Sequence, residues 1–177
     1  PTTFAQLSTN LALNAAANVK AHNFGFSNQA GEFPFYYYPE GSGNASAANL
    51  TGRSDVQTFA CQVRTLDDYS AETGVRVDFI KCDVEGAELL VFQGGLETIR
   101  RDTPVVLAEI LRKWSAKFNY DPNEIFDLFR GMGYQAYTAH DGSLHDFAAM
   151  GQATVANNFF FLHPAKHAEL LRRHRTA

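Results

Sequence analysis

The apolar positions of the chain switch repeatedly between the three-to-four spacing of a helix and the alternation or unbroken run of a strand. Phe4, Leu7 and Leu11 share one face of TFAQLSTNLALNA, and Thr3 and Gln6 have capping-box spacing, so a first helix is predicted, ended by Asn14 to Asn18. VKAHNFGF (19–26) reads as a strand. FPFYYY (33–38), bracketed by Pro34 and Pro39, reads as an edge strand, because proline cannot donate to a ladder. In VQTFACQVR (56–64), Gln57, Phe59, Cys61 and Val63 alternate with Thr58, Ala60, Gln62 and Arg64, which predicts a second peripheral strand. Pairing of these two would make a small β add-on, joined by the polar loop EGSGNASAANLTGRS (40–54).

After a short helical TLDDYSAE, the run VRVDFIKC (75–82) reads as a buried strand. A helix follows from Glu85 to Arg101, with Leu89, Phe92, Leu96 and Ile99 on one face. Gly94-Gly95 lies inside it. A glycine costs about 1 kcal/mol against alanine in a helix interior, so either the helix breaks there or close packing demands a bare backbone. PVVLAEI (104–110) is the continuous apolar run of a central strand. Asp121, Pro122 and Glu124 supply a cap, a first-turn proline and a capping acid for a helix bearing Ile125, Phe126, Leu128 and Phe129, which stops at Gly131-Met132-Gly133. YQAYT (134–138) is the next strand. A loop of about twenty residues, long enough to suggest a functional role, leads to the strand NNFFFLH (157–163), and Pro164 opens a terminal helix. The alternation implies a single three-layer α/β domain over residues 1–177 with a mainly parallel sheet.

Composition narrows the function classes. With 177 residues, 45% of them hydrophobic, the chain can bury a real core. The net charge of −4 gives no cationic surface for phosphates, so nucleic acid is not an expected partner, and LLRRHRT near the end reads as the last turn of a helix. No apolar stretch approaches the roughly 20 residues that span a bilayer, so no membrane partner is expected. Two cysteines, Cys61 and Cys82, make no disulfide framework, and a reducing, cytoplasmic setting is expected. The sequons Asn44-Ala45-Ser46 and Asn49-Leu50-Thr51 read as chance matches. The start at Pro1 suggests a fragment or processed product.

The chemistry concentrates in KCDVEGAE (81–88), which places Asp83, Glu85 and Glu88 behind a predicted strand. Ligands of open α/β sheets bind outside the carboxyl ends of strands, and Glu109 closes PVVLAEI at another such end. Carboxylates there can take a proton, hold an ammonium group or bind a divalent cation. The structural alternative makes Asp83 an N-cap and Glu85 and Glu88 first-turn acids; it suits Glu88 best and Asp83 least. A glutamate in VVLAEI cannot enter the core unpaired without a large desolvation penalty. HDGSLHD gathers His140, Asp141, His145 and Asp146, but Asp141-Gly142 is first a turn signal and no zinc spacing accompanies it. No metal is expected. His22 and His163 read as structural histidines, and Trp114, Phe118 and Tyr120 as packed loop residues able to wall a pocket.

VDFIKCDVEGAELLVFQGG followed by PVVLAEI closely resembles the FkbM family of S-adenosylmethionine-dependent methyltransferases, whose pattern is a strand, K-x-D-V-E-G-x-E, a helix ending near a glycine and a strand closing on a glutamate. PTTFAQLSTNLALN, NVKAHNFGFSNQAGEF and VRTLDDY resemble its preceding segments, so the likeness covers nearly the whole chain and weakens after residue 111. It implies a class I, Rossmann-like sheet whose last strand, NNFFFLH, is antiparallel. The family's glycine-rich cofactor turn and its second-strand acid would precede Pro1, so the chain reads as truncated at its N-terminus. GSG at 41–43 opens no helix and does not replace them. Carried over residue by residue, Gly25, Phe26 and Ser27 match the adenine side, Asp83 the methionine side, and Glu85 and Glu109 the acceptor side. The implied reaction is O-methylation of a small metabolite or sugar, with Asp83 or Glu85 as base and His140 in reserve. Two other readings stand beside it: a magnesium-dependent phosphoryl-transfer or hydrolase domain using Asp83, Glu85 and Glu109, and a noncatalytic interaction module presenting FPFYYY.

Overall fold

The computed structural model describes residues 2–37, 45–50 and 52–175. Tyr38, Pro39, the GSG stretch at 41–43 and one residue of each sequon, Asn44 and Thr51, lie outside the described residues. Helix α1 (Thr2–Leu13) forms where its apolar spacing predicts, although it begins before Thr3, which is therefore not its cap, and VKAHNFGF contributes only β1 (Gly25–Phe26). Only Gly25 and Phe26 find ladder partners, Val63 and Arg64. His22, Phe24 and Phe26 instead pack their rings around Tyr69.

The two predicted peripheral strands are β2 (Gly31–Tyr37) and β3 (Gln57–Arg64), paired antiparallel. The sheet order is β1-β3-β2. Thus β2 is an edge strand, as Pro34 requires, whereas β3 is central because β1 takes its other side. Thr65 then caps α2 (Leu66–Thr73) through its side chain, which accepts from the Asp68 amide at 3.0 Å.

A second, five-stranded sheet has the order β4-β5-β8-β6-β7, built from β4 (Phe79–Cys82), β5 (Val105–Glu109), β6 (Gln135–His140), β7 (Ser143–Phe147) and β8 (Asn158–Leu162). The sheet is not mainly parallel: β4 and β5 pair parallel, and the other three pairings are antiparallel. The reason is local. The last strand, β8, does run antiparallel, and by inserting between β5 and β6 it reverses two pairings at once. A hairpin supplies the third: Asp141 (φ 52°) and Gly142 (φ 75°) make the left-handed two-residue turn that returns β6 as β7. The predicted long loop therefore contains a strand and shrinks to residues 148–157.

VRVDFIKC is also less buried than its apolar run suggests. Ladder pairing starts only at Phe79, β4 lies at the edge of its sheet, and Phe79 is 53% exposed. The helix predicted for 85–101 divides into α3 (Glu88–Gln93) and α4 (Leu96–Asp102) at the two glycines. Both reasons weighed for glycine apply: a Cβ on Gly94 would lie 2.0 Å from the Ser27 carbonyl oxygen, and one on Gly95 would lie 2.9 Å from Leu66. The new helix end is capped from outside, as Asp67 accepts from the amides of Glu97 (3.1 Å) and Thr98 (2.7 Å).

Successive residues of β8 serve opposite faces. Phe159 and Phe161 join the main core beneath α3 and α6 (Asn123–Gly131), where Phe129 stacks on Phe161 at 4.3 Å. Phe160 and Leu162 join a smaller cluster with Leu171 of α7 (Ala168–His174). The capping box of α6 forms reciprocally, Asp121 accepting from Asn123 N (2.8 Å) and Glu124 accepting from Asp121 N (2.9 Å). Among the described residues no helix is long and apolar enough to cross a membrane.

Candidate active site

Parallel pairing sets the site. Cys82 lies opposite Ala108, so the next residues, Asp83 and Glu109, stand side by side where the β4–β5 ladder ends, while Glu109 still pairs with Asn158 of β8. The chain then turns sharply, with Glu85 in the left-handed region (φ 55°) and Gly86 at φ 104°. A Cβ on Gly86 would lie 2.7 Å from the Trp114 carbonyl oxygen of α5 (Arg112–Ser115), so only glycine fits against that helix. The result is a small cleft lined by Asp83, Glu85, Glu88, Glu109, Leu111 and Trp114.

Asp83 is no N-cap: α3 starts after Ala87 without a side-chain cap. Its Oδ2 instead accepts from Lys81 Nζ at 2.6 Å, which holds the Asp83 carboxyl below its ordinary value and raises Lys81. Glu109 is half-buried, not in the core, and its Oε1 accepts from Asn157 Nδ2 at 3.0 Å. Burial, then the hydrogen bond and the charge of Asp83, push the Glu109 carboxyl up. Glu85 is raised as well, by burial and then by Asp83, with Lys113 opposing.

Glu88 does structural work. It is 1% exposed, and its Oε1 accepts from the amides of Val84 and Gly86, each at 3.1 Å. Tyr120 donates to the Gly86 carbonyl at 2.8 Å and lies 3.4 Å from Glu88 Oε2, while Ser46 donates to the Glu85 carbonyl at 3.2 Å. Together these bonds clamp the 83–86 turn. Burial raises the Glu88 carboxyl, and the amide bonds only partly offset it.

Gly25, Phe26 and Ser27 line a separate cavity of about 230 Å³ with Phe33, Val84, Ala87 and Phe118. Asp83 is not on its wall, so the four residues assigned to the cofactor divide between cavity and cleft, with the 84–87 turn between them. A larger apolar cavity of about 420 Å³ adjoins it through Gly25 and Phe35. His140 is not brought to the cleft: it ends β6, beyond β8 from Glu109, and stacks on His145 at 3.5 Å. Among the described residues no group of three or more His, Cys, Asp or Glu is arranged to hold a metal ion. His22 (bonded to Tyr69 at 3.0 Å) and His163 (its backbone donating to His167 at 2.9 Å) are structural.

Comparison with known proteins decides the family. The model of the methyltransferase FkbM domain matches residues 2–136, from α1 into β6. The chain belongs to the FkbM methyltransferase family. It is similar to methyltransferase FkbM from Methylobacillus flagellatus KT, at 17% identity and a TM-score of 0.49, over 90% of this chain and 33% of that one. This FkbM-family chain thus spans about a third of the length of that relative. A search of curated proteins finds no match.

Four residues of the site were missed by sequence reasoning or given lesser roles: Lys81, Glu88, Tyr120 and Asn157. Lys81 had a signal, since it stands two residues before Asp83 on a strand and so shares its side. Asn157 had none in the FkbM motif, because it lies beyond the matched segment.

Proposed function

We propose that this FkbM-family chain is an S-adenosylmethionine-dependent methyltransferase domain that methylates a hydroxyl group of a small acceptor such as a sugar. The observation that carries the reading is the convergence of Asp83, Glu85 and Glu109 at the carboxyl ends of two parallel strands, across the 84–87 turn from an apolar cavity. Three features support such a cofactor here. Phe26, Phe33 and Phe118 offer apolar and aromatic surface for a purine, Gly25 leaves room beside them, and the carboxylates lie on the side where a positive sulfur would be favoured. When bound, the cofactor supplies a methyl group already activated on a sulfonium.

The chain's own residues supply the rest. The clamped turn and the Trp114 wall orient an acceptor, and positioning contributes substantially to a displacement of this kind. An ionised carboxylate in the cleft accepts the hydroxyl proton.

Calorimetric titration with S-adenosylhomocysteine, with and without magnesium, tests the reading. Binding without metal, weakened by Phe26→Ala, is the expected result. Binding that appears only with magnesium would favour metal chemistry, and no binding would refute cofactor use by this chain. In an active preparation, methyl transfer that survives both Asp83→Asn and Glu109→Gln at the wild-type rate would refute the site.

A further inference from the structure

The carboxylates of the cleft are not equivalent. Asp83 accepts from Lys81 at 2.6 Å, and Glu109 stands next to it where the β4–β5 ladder ends and lowers it further. Glu109 gives Oε1 to Asn157, which leaves its other oxygen for a proton shared with Asp83. The Asn157 amide cannot turn freely: its Oδ1 accepts from Asn158 Nδ2 at 3.0 Å, and its backbone carbonyl accepts from Ile110 N at 2.7 Å. Glu85 differs from both. Among the described residues its carboxylate makes no hydrogen bond, yet its backbone is held in the left-handed region by the Glu88, Tyr120 and Ser46 bonds. Non-glycine residues kept in that region cluster at functional sites.

We infer that Glu85 is the base that takes the acceptor's hydroxyl proton, that Asp83 and Glu109 form a one-proton pair beside it, and that Asn157 is a positioning residue which, by donating to Glu109 Oε1, leaves Oε2 as the oxygen that carries the pair's proton. The inference rests on the methyltransferase reading and assigns the roles within that site. The Lys81 ammonium makes Asp83 the weaker base, whereas among the described residues neither oxygen of Glu85 makes a hydrogen bond. Burial and the neighbouring Asp83 charge bring its proton affinity toward the neutral range, where a general base is most effective. The groups facing it are Asp83 at the end of β4, Glu109 on β5 and Lys113 on α5; Lys81 stands behind Asp83, and Glu88 of α3 turns inward to the amides. In the transfer the acceptor O–H bond breaks, its proton goes to Glu85, and the oxygen's electron pair forms the new O–CH₃ bond. The S–CH₃ pair stays on sulfur, which loses its positive charge.

The test is a carboxyl-¹³C titration of the 177-residue chain, labelled at Asp and Glu, as wild type and as Asp83→Asn, Glu109→Gln and Asn157→Leu. Expected in the wild type are a Glu85 midpoint above the ordinary glutamate value and coupled titration of Asp83 with Glu109. Asp83→Asn lowers the Glu85 midpoint, Glu109→Gln leaves Asp83 with a single uncoupled step, and Asn157→Leu raises Glu109 while leaving Glu85 in place. An ordinary Glu85 midpoint indifferent to Asp83→Asn overturns the base assignment, and a Glu109 midpoint indifferent to Asn157→Leu overturns the positioning role. Neither cofactor nor acceptor is needed, so this failure is distinct from failure to bind S-adenosylhomocysteine. With methyl glucoside as hydroxyl probe, Glu85→Gln lowers kcat by about 100-fold at unchanged KM; a retained kcat overturns the inference.

Discussion

Replacing Glu88 isolates the clamp beneath the cleft. Glu88→Ala leaves two amides, Val84 N and Gly86 N, without their acceptor, and the Gly86 donor lies in a buried bond. An orphaned buried donor costs about 1–3 kcal/mol. With the Val84 amide only part-buried, the two together give a loss of about 2–4 kcal/mol, a large fraction of a typical stability of about 5–15 kcal/mol. Glu88→Gln keeps the accepting oxygen and removes the charge. The sign follows from burial: the folded carboxyl is raised above its unfolded value of 4.5, so its favourable contribution is full below 4.5 and is lost as pH rises through the folded value. Relative to wild type, Glu88→Gln is therefore neutral to stabilising at pH 8, and its advantage shrinks toward pH 4. Urea melts of all three proteins at both pH values measure this, and the chain's single tryptophan, Trp114, stands against Gly86 as a fluorescence reporter. A loss below about 1 kcal/mol for the alanine variant, or a glutamine variant as damaged as the alanine one, would refute the clamp.

Gly94→Ala forces a Cβ to within 2.0 Å of the Ser27 carbonyl; since φ is −81° there, the effect is purely steric. A destabilisation above about 2 kcal/mol in the same urea assay is expected, larger than the propensity change for a glycine in a helix could explain; a neutral result would refute the close approach. Asp102, with its side chain 2% exposed, pairs with Arg101 and Arg76 and takes the Val77 amide at 3.0 Å, which lowers its carboxyl to about 2. Its contribution is present above the unfolded value of 3.8 and is lost as pH falls through about 2, so Asp102→Asn lowers stability at pH 7 and flattens the acid limb of a stability curve. An unchanged acid limb would contradict the pairing.

What could be read from the sequence was what short-range rules govern. The Asp121-Pro122-Glu124 capping box, the short helix of TLDDYSAE and the proline-marked edge of β2 formed where pattern placed them, and the reversal of β8 is what the family resemblance implied. The errors come from pairing partners distant in sequence. VKAHNFGF and VRVDFIKC both look like full strands, yet each is a strand only over the residues that find a ladder partner, two in β1 and four in β4. Gly94-Gly95 raised the right question, but the answer lies in Ser27 and Leu66, far away in sequence and invisible to a helical wheel. In the site, the clustering of carboxylates was legible, whereas their individual chemistry was not, because Asn157 arrives from the start of β8.

Those two levels meet in the turn after β4. A parallel strand pair must end its ladder somewhere, and here the ladder ends so that Asp83 and Glu109 emerge as neighbours carrying like charge. Two ionised carboxylates in one cleft repel, and the repulsion is relieved in two ways: Lys81 favours the charged form at Asp83, and burial favours the protonated form at Glu109. Among the described residues Glu85 has no ammonium bonded to it as Asp83 does, and Lys113 opposes its shift only in part. Its neighbour's charge and its own burial act in the same direction, and the left-handed backbone that keeps it there is held by a buried glutamate, a tyrosine and a glycine that cannot be replaced against Trp114. The interactions that strain the turn are thus the ones that differentiate the acids. Loosening the clamp should therefore erase the difference between Glu85 and an ordinary surface glutamate before it unfolds the sheet.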